Sequence, residues 1–258
     1  MQNSLVNIFS SIPDHYREFF GKDISPDGAI KFAERWRKCD PRNESEYVQA
    51  YTDLDYSDEL AFCHIKKKHP KINQTKKIIK ILKSLPKVRS VADLGCGIGT
   101  DGLVFSSLGY KTFCIEPNKE LCGFIKFRAK KLGIGNITII NGTEKDLPEI
   151  DVAIFLEVIE HFFDPFSSLA RIVSKNPRYL IFTESFGHHD EEAGGFPQHT
   201  DYSKSKVLKF LSELHYRKIR IKGMWFPPQL WTFTNNKDLK EEIDCNKFKE
   251  LEQMSLGL

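Results

Sequence analysis

The stretch Val91-Ala92-Asp93-Leu94-Gly95-Cys96-Gly97-Ile98-Gly99-Thr100-Asp101 constrains the fold more than any other part of this chain. A short apolar run ends in an acid, three alternating glycines follow, and the next segment reads as a helix. A strand that delivers a glycine turn into a helix lets backbone approach a ligand closely, because no Cβ intrudes. The unpaired N–H groups of the first helical turn favour an anionic group. Turns of this kind bind nucleotide-like ligands at the carboxyl edge of a parallel sheet.

The surrounding pattern agrees. From Val88 onward strands and helices alternate, which is the signature of a doubly wound, mostly parallel α/β sheet. Strands are expected at 88–94, 111–116, 137–140, 151–156 and 178–183, with helices at 101–107, 118–132, 165–174 and 203–214 between and after them. Asp151 to Leu156 is very apolar and belongs at the centre of the sheet. Arg217 to Lys222 and Leu230 to Thr234 read as a last strand pair across Pro227-Pro228. Upstream, Phe9, Ile12, Tyr16, Phe19 and Phe20 recur at near-helical spacing, and Ser25-Pro26-Asp27 reads as a helix start with proline in the first turn. Tyr47, Tyr51, Leu54 and Tyr56 form an aromatic-rich stretch that suits either core or the lid of an organic substrate. The expected organisation is a helical N-terminal segment over residues 1–85, a ligand-binding domain over 86–236 and a polar tail or helix over 237–258.

Composition excludes several classes. The chain of 258 residues can bury a full core, and its formal charge of +3 is too small to argue for nucleic acid by itself. No apolar run is long enough to span a bilayer. Met1 to Ser11 lacks a basic start followed by an apolar core, so no secretory leader is expected. The six cysteines fall without C-x-x-C pairs, which suits reduced thiols and a cytoplasmic protein. Between Ala61 and Ala92 there is no acid, while Lys66 to Arg89 supply a run of bases beside Ile72, Ile78, Ile79, Ile81 and Leu82. That run is read as an amphipathic helix over Asn73 to Leu85, its basic side facing solvent or, less often, phosphates.

The glycines alone do not choose the nucleotide. Gly97-Ile98-Gly99-Thr100-Asp101-Gly102 also matches a dinucleotide fingerprint, with Glu116 where a ribose-binding acid belongs. Asp93 ahead of the glycines, the charged run Glu157-Val158-Ile159-Glu160-His161 after the fourth strand, and the final antiparallel pair point elsewhere. Taken in order, Asp93 to Gly99, Cys114-Ile115-Glu116-Pro117, Gly142 to Pro148 and Leu156 to His161 resemble the successive motifs of class I S-adenosylmethionine-dependent methyltransferases. The resemblance covers about Val88 to Tyr202 and implies a seven-stranded sheet with a reversed last strand.

It also implies a site. Asp93 and the backbone of Gly95, Gly97 and Gly99 would hold the methionine part of S-adenosylmethionine, Glu116 both ribose hydroxyls, and Pro117 one side of the adenine. Thr143 and Glu144 fall near the adenine edge and Leu156 beside the same ligand. Glu157, His161 and His199 are the candidates for proton removal or acceptor positioning. If a helical turn starts there, Glu157, Glu160 and His161 share a face, and with His199 they form a candidate set for Mg²⁺, Mn²⁺ or Zn²⁺. His188, His189 and Asp190 open the loop that carries His199. Three functions stay open at this point. They are methylation of a small-molecule acceptor on oxygen or nitrogen, metal-dependent RNA 2′-O-methylation, and a nicotinamide-dependent or non-catalytic cofactor-binding role.

Overall fold

A computed structural model describes residues 2–66, 71–183, 204–219 and 231–235. Six helices come first: α1 (Gln2–Ser10), α2 (Ile12–Phe20), α3 (Gly28–Cys39), α4 (Glu44–Asp53), α5 (Ser57–Ile65) and α6 (Lys71–Ser84). The alternating part follows as β1 (Ser90–Leu94), α7 (Thr100–Ser107), β2 (Lys111–Glu116), α8 (Lys119–Leu132), β3 (Ile137–Asn141), β4 (Val152–Leu156), α9 (Pro165–Ser174) and β5 (Tyr179–Thr183). Helix α10 (Lys204–Glu213), β6 (Tyr216–Lys218) and β7 (Trp231–Asn235) complete it. The stretch Trp225 to Pro228, the loop that carries His188, His189, Asp190 and His199, and the 237–258 tail lie outside the described residues.

The seven strands run in the order β3-β2-β1-β4-β5-β7-β6. The first five are parallel, and β7 enters antiparallel to both β5 and β6. This is the doubly wound sheet with a reversed strand that the sequence leads one to expect. Every residue of β4 and β5 is buried, as strands covered on both faces must be. Where β7 joins, Phe155, Phe182 and Phe233 stack across three strands at 4.8 and 5.6 Å between ring centroids. Such pairs add about 1 kcal/mol each beyond burial and help fix the antiparallel register.

Strand alternation divides the core in two. Val91, Val152, Ile154 and Ile181 face one layer, shared with Leu5, Ile8, Ile12, Tyr16, Phe32 and Trp36 of the N-terminal helices. Ala92, Ala153, Phe155, Leu180 and Phe182 face the other, shared with Leu169 and Ile172 of α9 and Val207 and Leu211 of α10. The first helices therefore pack on the sheet itself.

Three local expectations shift. β1 starts at Ser90 and not Val88, and β4 at Val152, because the Asp151 carboxylate accepts the N–H groups of Arg89 (2.8 Å) and Ser90 (3.0 Å) and ends the pairing there. Pro26 precedes the start of α3 instead of sitting in its first turn. That helix begins at Gly28, where an added Cβ would lie 2.4 Å from the Glu59 nitrogen, so α3 crosses α5 at a point only glycine permits. The aromatic-rich stretch of undecided form is α4 and the link into α5.

Arg128 locks α1 to the sheet layer. It is fully buried (0% exposed) and donates to the carbonyls of Ile8 (2.9 Å) and Ile98 (2.7 Å) and to the Thr100 hydroxyl (2.9 Å). Burial lowers its pKa to about 9, so the desolvation is substantial and the three acceptors offset it. Replacing Arg128 by Met leaves those buried acceptors without a donor. The expected loss is about 3 kcal/mol in urea unfolding, with α1 the first segment to become protease-sensitive.

Candidate functional site

The carboxyl ends of β1, β2 and β4 open on a cavity of about 970 Å³, its mouth included. Its floor comes from the glycine turn. Gly95, Gly97 and Gly99 all have left-handed backbone (φ 63, 55 and 69°), which folds the turn over the end of β2. The Ile115 carbonyl accepts the N–H groups of Gly95 (2.9 Å) and Cys96 (3.2 Å) and anchors it. Gly95 and Gly97 line the cavity. Gly99 does not; an added Cβ there would meet Ile125 of α8 at 2.7 Å, so its role is close helix packing.

Glu116, the last residue of β2, lines the cavity and is only 2% exposed. Its Oε2 accepts the Gly97 N–H (2.8 Å), and Oε1 accepts the Asn118 N–H (3.0 Å) and a short bond from the Tyr56 hydroxyl. Burial pushes the carboxyl up to about 7, while the bonds from Tyr56, Asn118 and Gly97 pull it down. Asp93 lies lower in the sheet and does not line the cavity. Its Oδ2 accepts the Gly102 N–H at the start of α7 (2.9 Å), and burial, with Asp101 nearby, holds its carboxyl above the usual range. Asp101 itself is paired with Lys71 (3.1 Å) and accepts the Thr75 hydroxyl (2.5 Å). Leu156 is buried core and also lies off the cavity.

Pro117, Thr143 and Glu144 form one wall. Thr143 and Asp146 make a capping box for the 3₁₀ turn Glu144–Asp146. The Glu144 carboxylate turns to Arg171 (2.7 Å from Nε) and the Ser168 hydroxyl (3.1 Å). Arg171 also holds Glu44 (2.8 Å), as does Lys145 (3.1 Å), which fastens the start of α4 to α9.

The roof comes from the N-terminal helices: Phe32 of α3, Tyr47, Val48 and Tyr51 of α4, the linking Tyr56, and Glu59 and Leu60 of α5. The Asn118 amide donates to the carbonyls of Thr52 (3.2 Å) and Leu54 (3.1 Å), while its oxygen caps α8 through the N–H groups of Glu120 and Leu121 (3.0 Å each). One side chain thus ties the α4–α5 link to the end of β2. Tyr51 shares a 2.7 Å hydrogen bond with Nδ1 of His161. Sequence reasoning singles out His161 and leaves Tyr51 and Tyr56 between core and lid, but it does not single out Glu59 or Asn118 as site residues.

Glu157 and His161 line the cavity; Glu160 is buried and does not. The expected shared helical face is absent. Glu157 takes left-handed backbone (φ 55°), held by the Thr183 hydroxyl on its N–H (3.0 Å), and only a 3₁₀ turn over Ile159–His161 follows. Among the described residues no three His, Cys, Asp or Glu side chains converge as a metal ion requires, and His199, the fourth member of the expected set, lies outside them. No Lys or Arg is among the described residues that line the cavity.

No family model matches the chain, and no curated protein does. Solved structures do. Magnesium protoporphyrin IX methyltransferase from Synechocystis PCC 6803, crystallised with S-adenosylhomocysteine, superposes with a TM-score of 0.56 at 16% identity, over 81% of this chain and 96% of that one. The same enzyme with S-adenosylmethionine gives 0.53 at 14% identity, over 83% and 100%. The N-methyltransferase NodS from Bradyrhizobium japonicum gives 0.51 at 14%, over 64% and 96%.

The bond from Tyr56 has a measurable signature. Tyr56→Phe removes a donor that favours the ionised form of Glu116, so the carboxyl should titrate about one pH unit higher, read by carboxyl ¹³C NMR. An unmoved midpoint would mean that the hydroxyl and the carboxylate are not in contact in solution. Sheet order, reversed strand, flanking helices and structural neighbours together give this chain the class I S-adenosylmethionine-dependent methyltransferase fold.

Proposed function

We propose that the protein is an S-adenosylmethionine-dependent methyltransferase acting on a small organic acceptor at oxygen or nitrogen. One observation carries the reading: a buried carboxylate at the end of β2 faces a cavity floored by a glycine turn, at the carboxyl edge of a parallel sheet. Glu116 would accept the ribose hydroxyls, the Gly95–Gly97 backbone would lie along the methionine part, and Pro117 and Thr143 would flank the adenine. Asp93 would act through the turn, by fixing the start of α7. When bound, the cofactor supplies an electrophilic methyl group on a sulfonium.

The chain's own residues supply orientation and dryness. Tyr47, Tyr51, Tyr56 and Phe32 roof the cavity and exclude water, which favours alignment of an acceptor for an in-line displacement. Three donors occupy three of the four acceptor positions of Glu116, so a ribose diol displaces the Tyr56 hydroxyl in order to bind. His161, hydrogen-bonded to Tyr51 and lining the cavity, would help to position an acceptor there.

The competing readings lose support. No Lys or Arg among the described residues lines the cavity to hold an RNA phosphate, which argues against an RNA acceptor. The antiparallel β7 between β5 and β6 departs from the second mononucleotide-binding half of a dinucleotide enzyme. Among the described residues no helix is long and apolar enough to cross a membrane. Isothermal titration of S-adenosylhomocysteine and NAD tests the proposal. Heat with the first alone is expected, and Glu116→Gln should weaken it roughly 10- to 100-fold, the worth of hydrogen bonds to a charged acceptor. Heat with NAD alone sinks the reading.

A further inference from the structure

The carboxylates around the cavity differ in what neutralises them. Glu44 and Glu144 are held by Arg171, with Lys145 also on Glu44. Glu116 is held by three donors. Glu59, on the face of α5 that looks into the cavity, accepts no hydrogen bond and pairs with no cation among the described residues. Burial alone pushes its carboxyl up to about 7. Burial raises the Tyr51 phenol as well, with Tyr47 and then the charge of Glu59 adding to that, and Tyr51 and Glu59 line the same cavity. Around them stand aromatic faces: Phe32 against Tyr51 and Tyr56 (6.2 and 5.4 Å), Tyr47 against Tyr51 (5.5 Å), and Phe163, 40% exposed at the mouth, against Tyr47 (5.7 Å).

A partly buried carboxylate that shares a cavity lining with these aromatic side chains, and with no Lys or Arg among the described residues, suits an organic cation. We propose that the methyl acceptor is an amine on an apolar body, bound as its ammonium form with the nitrogen against Glu59 and the body against the cavity wall formed by Tyr47, Tyr51 and Phe163. This rests on the methyltransferase reading and narrows its acceptor from oxygen or nitrogen to nitrogen. An ammonium has no lone pair, so one proton must leave before it can react. The Glu59 carboxylate takes that proton and becomes the neutral acid. The nitrogen–carbon bond then forms as the donor's sulfur–carbon bond breaks, its electron pair staying on sulfur, and the positive charge passes to the methylated nitrogen. The proton on Glu59 returns to solvent as the product leaves. A carboxyl that titrates near neutrality serves this exchange better than one with an ordinary value. A carboxylate or phosphate acceptor would meet uncompensated negative charge in the same place.

The test is binding, without turnover. Phenethylamine, phenethyl alcohol and hydrocinnamate are titrated into the wild-type protein and Glu59→Gln, with S-adenosylhomocysteine present, at about pH 8, where the amine is still a cation. The amine should bind at least about tenfold more tightly than the other two, and Glu59→Gln should abolish that preference while leaving the alcohol unchanged. Tyr47→Leu is a second variant, which should weaken the amine more than the alcohol. Equal binding of amine and alcohol, no measurable amine binding, or Glu59→Gln weakening S-adenosylhomocysteine instead of the amine overturns the proposal. Failure of S-adenosylhomocysteine to bind the wild-type protein would remove the cofactor reading, while the amine preference, measured without it, would still be decided.

Discussion

The Glu116 carboxylate is where three distant parts of the chain meet. The glycine turn reaches it through the Gly97 N–H, the end of β2 through the Asn118 N–H, and the N-terminal helices through the Tyr56 hydroxyl. A buried carboxylate is expensive unless hydrogen bonds replace the lost water, so each of these donors is held in place by the need to satisfy it. Asn118 extends the arrangement. Its backbone serves Glu116, its side-chain oxygen starts α8, and its amide holds the carbonyls of the α4–α5 link. Floor, wall and roof of the cavity are thereby set relative to one charged group.

Around that centre the electrostatics are one-sided. The lining carries five glutamates and no lysine or arginine among the described residues, and the cations that do occur nearby, Arg171 and Lys145, act from behind the wall on Glu44 and Glu144. From the basic run before β1, Lys71 neutralises Asp101 in the first turn of α7, and neither residue lines the cavity.

Much of this fold is legible in sequence where the signals are local. β2 ends at Glu116 ahead of a proline, and α9 begins at Pro165 behind a capping aspartate, so both have the expected bounds. The glycine turn is readable for the same reason, since its glycines lie close together in the chain, whereas the reversed last strand follows from the resemblance of the ordered motifs. What is not readable is set at long range. The start of β1 is decided by Asp151, more than 60 residues away, and the bond between Tyr56 and Glu116 spans 60 residues. The Glu157–His161 segment shows a different limit. Its spacing suits a helical face, but a left-handed backbone at Glu157 and a 3₁₀ turn redirect the side chains. Nothing in i, i+3, i+4 spacing announces a positive φ at a glutamate.

The shared core of the N-terminal helices and the sheet carries a consequence for how such a protein can change its specificity. The residues that roof the cavity, Phe32, Tyr47 and Tyr56, belong to the same packed layer as Ile12, Val91 and Ile154. A new roof cannot be grafted on as an interchangeable module, because each substitution that reshapes the ligand space also alters the packing that supports the sheet. Divergence toward new ligands along this lineage would therefore proceed through small, volume-conserving steps within the helices, each tolerated by the fold before it is useful to the chemistry.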